Sequence, residues 1–285
     1  MKDLFSGLIL LSGKKGSGKA TFAYHLVNFF LSKDEELKYD LIESKINSEN
    51  KSFKLLQNNS HPNFYLVDLL VEKKNIDVAQ IRGMISYTNK STFNNQDRFI
   101  MIDNVEYLNK NSINALLKII EEPNENIYFI LIANSQKNIL PTLKSRCITF
   151  KIHFSFDNTV NICNQILNQN ILNELNYDLI NYYCTPGEII KLIQFAEEKQ
   201  INLRDHDVSS IINLIIENTY YKKNIFIKNL LINFIELFLL KRYKRANNKN
   251  FLLNFYQSFI QKINNTEKFN LDEESLFLEF KSKIL

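Results

Sequence analysis

The chain has 285 residues, enough for two or three domains at roughly 100–150 residues each. A hydrophobic content of 45% and a charged content of 23% fit a soluble globular protein, and no apolar run reaches the roughly 18 residues of a membrane span. The net charge of +4 permits an acidic partner without demanding one, and three cysteines without a CxxC pair argue against a zinc site or a disulfide framework and fit a reducing cytoplasm.

In chain order, Leu8–Leu11 is a short apolar run that leads straight into glycines, too short for the core of a signal peptide, so no export is expected. The next stretch is Gly13-Lys14-Lys15-Gly16-Ser17-Gly18-Lys19, followed by a predicted helix carrying Phe22, Leu26, Phe29 and Phe30 on one face. Strand, glycine loop and helix in that order are the setting in which a G-x-x-x-x-G-K spacing signals a phosphate loop. Gly13, Gly16 and Gly18 would let backbone N–H groups turn inward, the helix start adds positive potential, and Lys19 stands where a phosphate-binding lysine would. Position 20 is Ala, where a working loop has Ser or Thr to hold Mg²⁺. Thr21 is no substitute, since one step along a helix turns a side chain by about 100°. Three readings stay open: a retired loop, a loop that binds nucleotide without hydrolysing it, and a loop that turns nucleotide over.

Residues 41–56 are predicted as a helix broken before His61-Pro62, and residues 63–71 as a strand rich in aromatic and β-branched side chains. His61 reads as a turn residue without chemistry. Residues 76–87 repeat Ile76, Val78, Ile81, Met84 and Ile85 at helical spacing. Residues 98–102 predict a buried strand with Asp103 at its carboxyl end, where open α/β sheets place their chemistry. Asp103 could organise Mg²⁺, but the next residue is Asn104, whose amide cannot accept a proton as a carboxylate does. Glu106 reads as a solvated turn residue. A helix over residues 112–122 stops at Pro123, and residues 127–133 predict the next buried strand. Asn134 follows, placed either to bond a phosphate or simply to cap the strand end. A short helix after Pro141 leads to Ser145-Arg146-Cys147, then residues 148–152 predict one more strand.

Beyond it the pattern is helical: residues 158–172, 173–184 and 186–199, with Thr185-Pro186-Gly187-Glu188 as a capping box with proline in the first turn. A second helical group covers residues 208–218, 222–243, 251–264 and 272–283. Its apolar face of Ile227, Leu230, Leu231, Phe234, Leu237 and Phe238 reads as internal core or as a packing surface for other subunits. Lys241-Arg242-Tyr243-Lys244-Arg245 could meet a phosphate backbone or end a solvated helix.

Asp103, Asn114-Ala115-Leu116-Leu117-Lys118 with Glu121-Glu122-Pro123, and Ser145-Arg146-Cys147 together resemble the linked motifs of clamp-loader subunits of the AAA+ class. The nearest likeness is to the delta-prime family of bacterial replicative clamp loaders. The resemblance implies an α/β AAA+ P-loop domain with a parallel sheet at 1–153, a small helical lid at 154–204 and an all-α collar at 205–285. It implies that Arg146 reaches in trans into the ATP site of a neighbouring subunit. The residues toward an ATP site in this chain would be Gly13, Gly16, Gly18, Lys19, Asp103 and Asn134, with no cofactor required and ATP with Mg²⁺ as the group such a site would take. Hydrolytic relatives carry a sensor arginine at the position of Gly187. Relatives in the family usually carry a longer N-terminal segment that helps enclose the adenine, which is expected to be missing here, and many carry a four-cysteine zinc module before the position of His61; no cysteine stands there, so no metal is expected. The partners implied are the motor (gamma/tau) subunits, a delta subunit, the sliding clamp and primed DNA within the DNA polymerase III holoenzyme. The alternative is an active ATPase motor subunit of the same complex.

Overall fold

The computed structural model describes residues 8–70, 73–90, 96–121, 125–180, 184–246, 249–269 and 271–284. The chain forms two compact units, Met1–Ser155 with Thr185–Glu188, and Phe156–Cys184 with Ile189–Leu285.

The first unit is built on a parallel sheet of β1 (Leu8–Gly13), β2 (Phe64–Val67), β3 (Arg98–Ile102), β4 (Ile127–Asn134) and β5 (Ile148–Lys151), in the order β2-β3-β4-β1-β5. A parallel sheet covered on both faces needs strands that are apolar throughout, which is how β1, β3 and β4 read. Alternate residues then serve opposite faces. Leu8, Leu10, Ile100, Ile102, Phe129 and Leu131 pack with Ile81 and Met84 of α3 (Val78–Thr88) and Leu116 and Ile120 of α4 (Lys110–Glu121). Ile9, Leu11, Phe99, Met101, Ile130 and Ile132 pack with Ala23, Val27 and Leu31 of α1 (Lys19–Leu31) and Leu56 of α2 (Lys51–Gln57). Helix α1 is thus rotated from its predicted face: Phe22 is exposed, while Leu26 and Phe30 are only partly buried.

Residues 41–56 do not form the predicted helix. Asp40 Oδ1 accepts the amides of Ile42 and Glu43, an Asp40–Lys45 bridge closes a turn, and Asn50 caps the much shorter α2. The predicted strand at 63–71 is confined to β2; Val71 lies outside the described residues, as do Glu122 and Pro123. His61 is buried: its Nδ1 accepts the Asn63 amide, and Nε2 lies 3.3 Å from Ser52 Oγ, which donates to Glu35. Burial lowers the pKa of His61 below its ordinary value, against an opposing pull from Glu35. A depressed histidine adds stability above its unfolded pKa of about 6.5 that is lost as pH falls through the folded value. The urea midpoint is therefore expected to fall from pH 7 to pH 5, and by less in His61→Ala; an equal fall in both proteins would remove His61 from the account.

Arg98, only 4% exposed, was not picked out from the sequence. Its Nη1 donates to the carbonyls of Tyr87 and Lys90, and its guanidinium lies 5.1 Å from the centroid of the Tyr87 ring, so it caps α3 from the start of β3.

The second unit holds α6 (Phe156–Leu167), most of α7 (Pro186–Lys199), α8 (Val208–Glu217), α9 (Tyr220–Lys223), α10 (Ile225–Arg245), α11 (Lys249–Phe269) and α12 (Glu274–Ile284). The helix predicted at 173–184 is absent from its described part. Asn170 and Asn176 accept the amides two residues on, and short 3₁₀ turns follow at Ile171–Asn173 and Tyr177–Leu179. Buried residues from Val160 to Ile284 form one cluster, to which both the segment expected as lid and the segment expected as collar contribute. Ile227, Leu230, Leu231, Phe234 and Leu237 are all within it, so the dense face of α10 is internal core and is used up inside the chain.

Candidate nucleotide loop and an outward arginine

Gly13, Asp103 and Asn134 all lie at the carboxyl edge of the sheet. Gly13 pairs in register with Asn134 on β4, and Asp103 follows β3 on the other side of β4. The loop after β1 is compact. Gly16 (φ 84°) and Gly18 (φ 73°) take the left-handed backbone that glycine supplies without strain. Lys19 Nζ turns back into the loop and donates to the carbonyls of Gly13 and Lys14, both at 2.8 Å. Burial lowers the Lys19 pKa, opposed by Asp103 and Glu106.

The start of α7 is bonded to the same loop, and these four residues belong to the first unit. Thr185 Oγ1 donates to the Lys15 carbonyl (2.8 Å), the Gly187 amide donates to the Gly16 carbonyl (3.0 Å), and Lys14 pairs with Glu188 at 3.0 Å. The predicted capping box is present: Glu188 Oε2 accepts the Thr185 amide and Thr185 Oγ1 accepts the Glu188 amide. A Cβ on Gly187 would stand 2.8 Å from the Gly16 Cα, so this approach is open only to glycine.

Around Asp103 the polar groups serve one another. Asn104 sits at φ 58°, in the left-handed region that Asn tolerates, and its Nδ2 donates to Asp68 Oδ1 at 2.8 Å. Glu106, expected to be solvated, is half-buried, and its Oε2 accepts the Asn134 amide. Asn134 Oδ1 in turn accepts the Gln136 amide, a cap on the end of β4. Ala20 packs against the apolar face of the sheet and brings no oxygen to the loop.

Burial raises the Asp103 pKa to about 6, with Asp68 adding to the rise and the Asn104 amide opposing it. A carboxyl raised in the fold contributes stability that is complete below its unfolded pKa near 4 and is lost as pH rises through the folded value. Asp103→Asn should thus raise the unfolding free energy at pH 7.5 by on the order of 1–2 kcal/mol, with the gain vanishing below pH 4. Urea titrations at the two pH values measure it; a loss of stability at pH 7.5 would mean that the charge is compensated.

Arg146 has no bond to this loop. Leu143, fully buried, anchors α5 (Pro141–Lys144) to the core, and all three side chains that follow bond back to it: Ser145 Oγ and Arg146 Nη1 to the Thr142 carbonyl, Cys147 Sγ to the Leu143 carbonyl. Burial lifts the Cys147 thiol to about 11, so it stays protonated and unreactive. The Arg146 side chain is 37% exposed, and its Nη2 donates to Glu121 Oε1 at 2.5 Å.

The basic run at the end of α10 is largely engaged within its own unit. Lys241 pairs with Asp178 at 3.0 Å, Arg242 bonds the Ile284 carbonyl, and Lys249 lies over the Tyr243 ring. No described helix is long and apolar enough to cross a membrane, and no described group of three His, Cys, Asp or Glu residues could hold a metal ion.

Comparison with known proteins agrees with the motif pattern. The chain is 29% identical over 139 residues to the DNA polymerase III subunit delta' of Pseudomonas aeruginosa, covering 49% of this chain and 40% of that one. It is 30% identical over 148 residues to the delta' subunit of Bacillus subtilis, covering 52% and 42%. The matched stretches thus span less than half the length of these relatives. A solved DNA polymerase III gamma subunit-related protein from Thermotoga maritima is 17% identical, with a TM-score of 0.44 over 90% of this chain and 74% of that one. The family model described as DNA polymerase III, delta subunit matches residues 2–155, more than half of the chain, and the chain belongs to that family.

Proposed function

We propose that this chain is a non-catalytic subunit of the replicative clamp loader. In this reading it helps load the sliding clamp onto primed DNA, in a ring with the gamma/tau motor subunits and a delta subunit, and donates Arg146 to a neighbour's ATP site. The observation that carries the reading is the contrast between two sites. Arg146 is 37% exposed, its guanidinium is held by Thr142 and Glu121, and it makes no bond to its own chain's loop. A planar guanidinium so presented can stabilise charge building on the γ-phosphate of another subunit.

The chain's own loop does not fit a hydrolysing Mg²⁺–ATP centre. Ala20 offers no metal ligand, and the Asn104 amide is bonded to Asp68 where hydrolytic relatives have a water-polarising glutamate. Gly187 bonds the loop through its own backbone where those relatives extend an arginine. In this reading the loop needs no cofactor, which is supported by the bonds that Lys19 and Thr185–Glu188 make to it within the chain. The three-part division at 153/154 and 204/205, as sheet domain, lid and collar, belongs to the same proposal.

The test is to mix the chain with the motor and delta subunits and follow assembly and Mg²⁺-dependent phosphate release. The expected result is one assembled species whose turnover needs Arg146, and no release by the chain alone. Vigorous release by the isolated chain, lost in Lys19→Ala, would favour the motor-subunit alternative.

A further inference from the structure

We propose that Glu121 is a positioning residue for Arg146, fixing the guanidinium in the orientation in which it meets a neighbour's phosphate. The inference rests on the reading of Arg146 as an arginine donated in trans.

An arginine side chain has four rotatable bonds, and an exposed one samples many rotamers; one that must meet a phosphate in a fixed geometry loses rate for every rotamer that misses. Two acceptors from different elements hold this one. The Thr142 carbonyl, on α5, takes Nη1 at 2.8 Å, and the carboxylate of Glu121, the last described residue of α4, takes Nη2 at 2.5 Å. Leu116 and Ile120 anchor α4 in the core and Leu143 anchors α5, so both acceptors stand on fixed supports. A guanidinium carries five N–H groups. Two are used here, and the rest have no partner among the described residues, which leaves a donor edge for an anion.

The placement of Glu121 supports the same role. A carboxylate at a helix C-terminus faces the negative end of the helix dipole, a site where its charge is unfavourable without a cation beside it. Arg146 is that cation. The pair does little for the fold, since both side chains are substantially exposed, at 37% and 49%, and such pairs contribute little to stability. Its consequence is orientation.

The experiment uses the full ring with clamp, primed DNA and Mg²⁺–ATP, and measures kcat and KM for turnover. Immobilising one rotamer-rich side chain is worth about 0.5–1.5 kcal/mol, so Glu121→Ala should lower kcat by about two- to tenfold, with KM and assembly unchanged. Glu121→Gln should keep most of the rate, because an amide oxygen accepts the same N–H. Thermal unfolding of the isolated variants should match the parent chain. A collapse in Arg146→Ala with no change in Glu121→Ala would overturn the positioning role alone. Equal defects in the Ala and Gln variants would overturn it too, since charge rather than orientation would then be at work. Unchanged turnover in Arg146→Ala would instead remove the donated arginine itself, and the inference with it.

Discussion

Arg146→Ala in the assembled ring is expected to lower DNA-stimulated ATP turnover at the neighbouring site by on the order of 1,000-fold, the lower end of what an arginine supplied in trans contributes. Assembly should survive, because among the described residues the side chain is bonded only to Thr142 and Glu121, both exposed, so its removal strands no buried partner there. Arg146→Lys should recover only a small part of the loss. An ammonium keeps the charge but lacks the planar fork that bonds two phosphate oxygens while leaving other N–H groups for Glu121 and Thr142. Steady-state phosphate release with matched ring concentration separates the two variants. A change of less than about threefold in Arg146→Ala, far below the roughly 1,000-fold that such an arginine supplies, would end the trans-donation reading.

The sheet was legible in the sequence and much of the helical detail was not, for one recurring reason. Residues 98–102 and 127–133 are short apolar runs of the kind a strand covered on both faces needs, and β3 matches the first while β4 runs one residue past the second. Between strands, short polar side chains compete with the helix for backbone amides. Asp40, Asn50, Asn170 and Asn176 each take amides two or three residues on, and they end or replace the helices predicted over 41–56 and 173–184. Apolar periodicity does not register that competition. At the candidate site, the sequence order gave Lys19, Asp103, Asn134 and Arg146 as separate marks. That Glu106 serves the Asn134 amide, and that Thr185–Glu188 bonds the loop of residues 14–16, are pairings across long stretches of chain that no local pattern carries. The capping box at Thr185 was readable; the second use of Glu188, as partner of Lys14, was not.

The loop glycines should separate by what surrounds each of them. At Gly18 a Cβ meets nothing within 4 Å, so Gly18→Ala pays only for a left-handed backbone at φ 73°, about 1 kcal/mol. Gly16 has φ 84°, and a Cβ there would stand 2.5 Å from Thr185 Oγ1. Gly16→Ala therefore adds a displaced hydroxyl and its bond to the Lys15 carbonyl, for about 2 kcal/mol in all. Gly13 has an ordinary φ, yet its Cβ would lie 2.5 Å from the Ile152 carbonyl oxygen, a backbone atom beside the strand pair β1–β5. No rotamer relieves that clash. The chain after β5 must move, and the Ile152 amide loses its bond to the Ser12 carbonyl, so Gly13→Ala should cost about 3 kcal/mol or more. Urea unfolding followed by far-ultraviolet circular dichroism should rank the variants Gly18, Gly16, Gly13 in rising cost. If Gly13→Ala proved as mild as Gly18→Ala, backbone conformation alone would set the tolerance of the loop, and its close packing against the sheet edge would count for nothing.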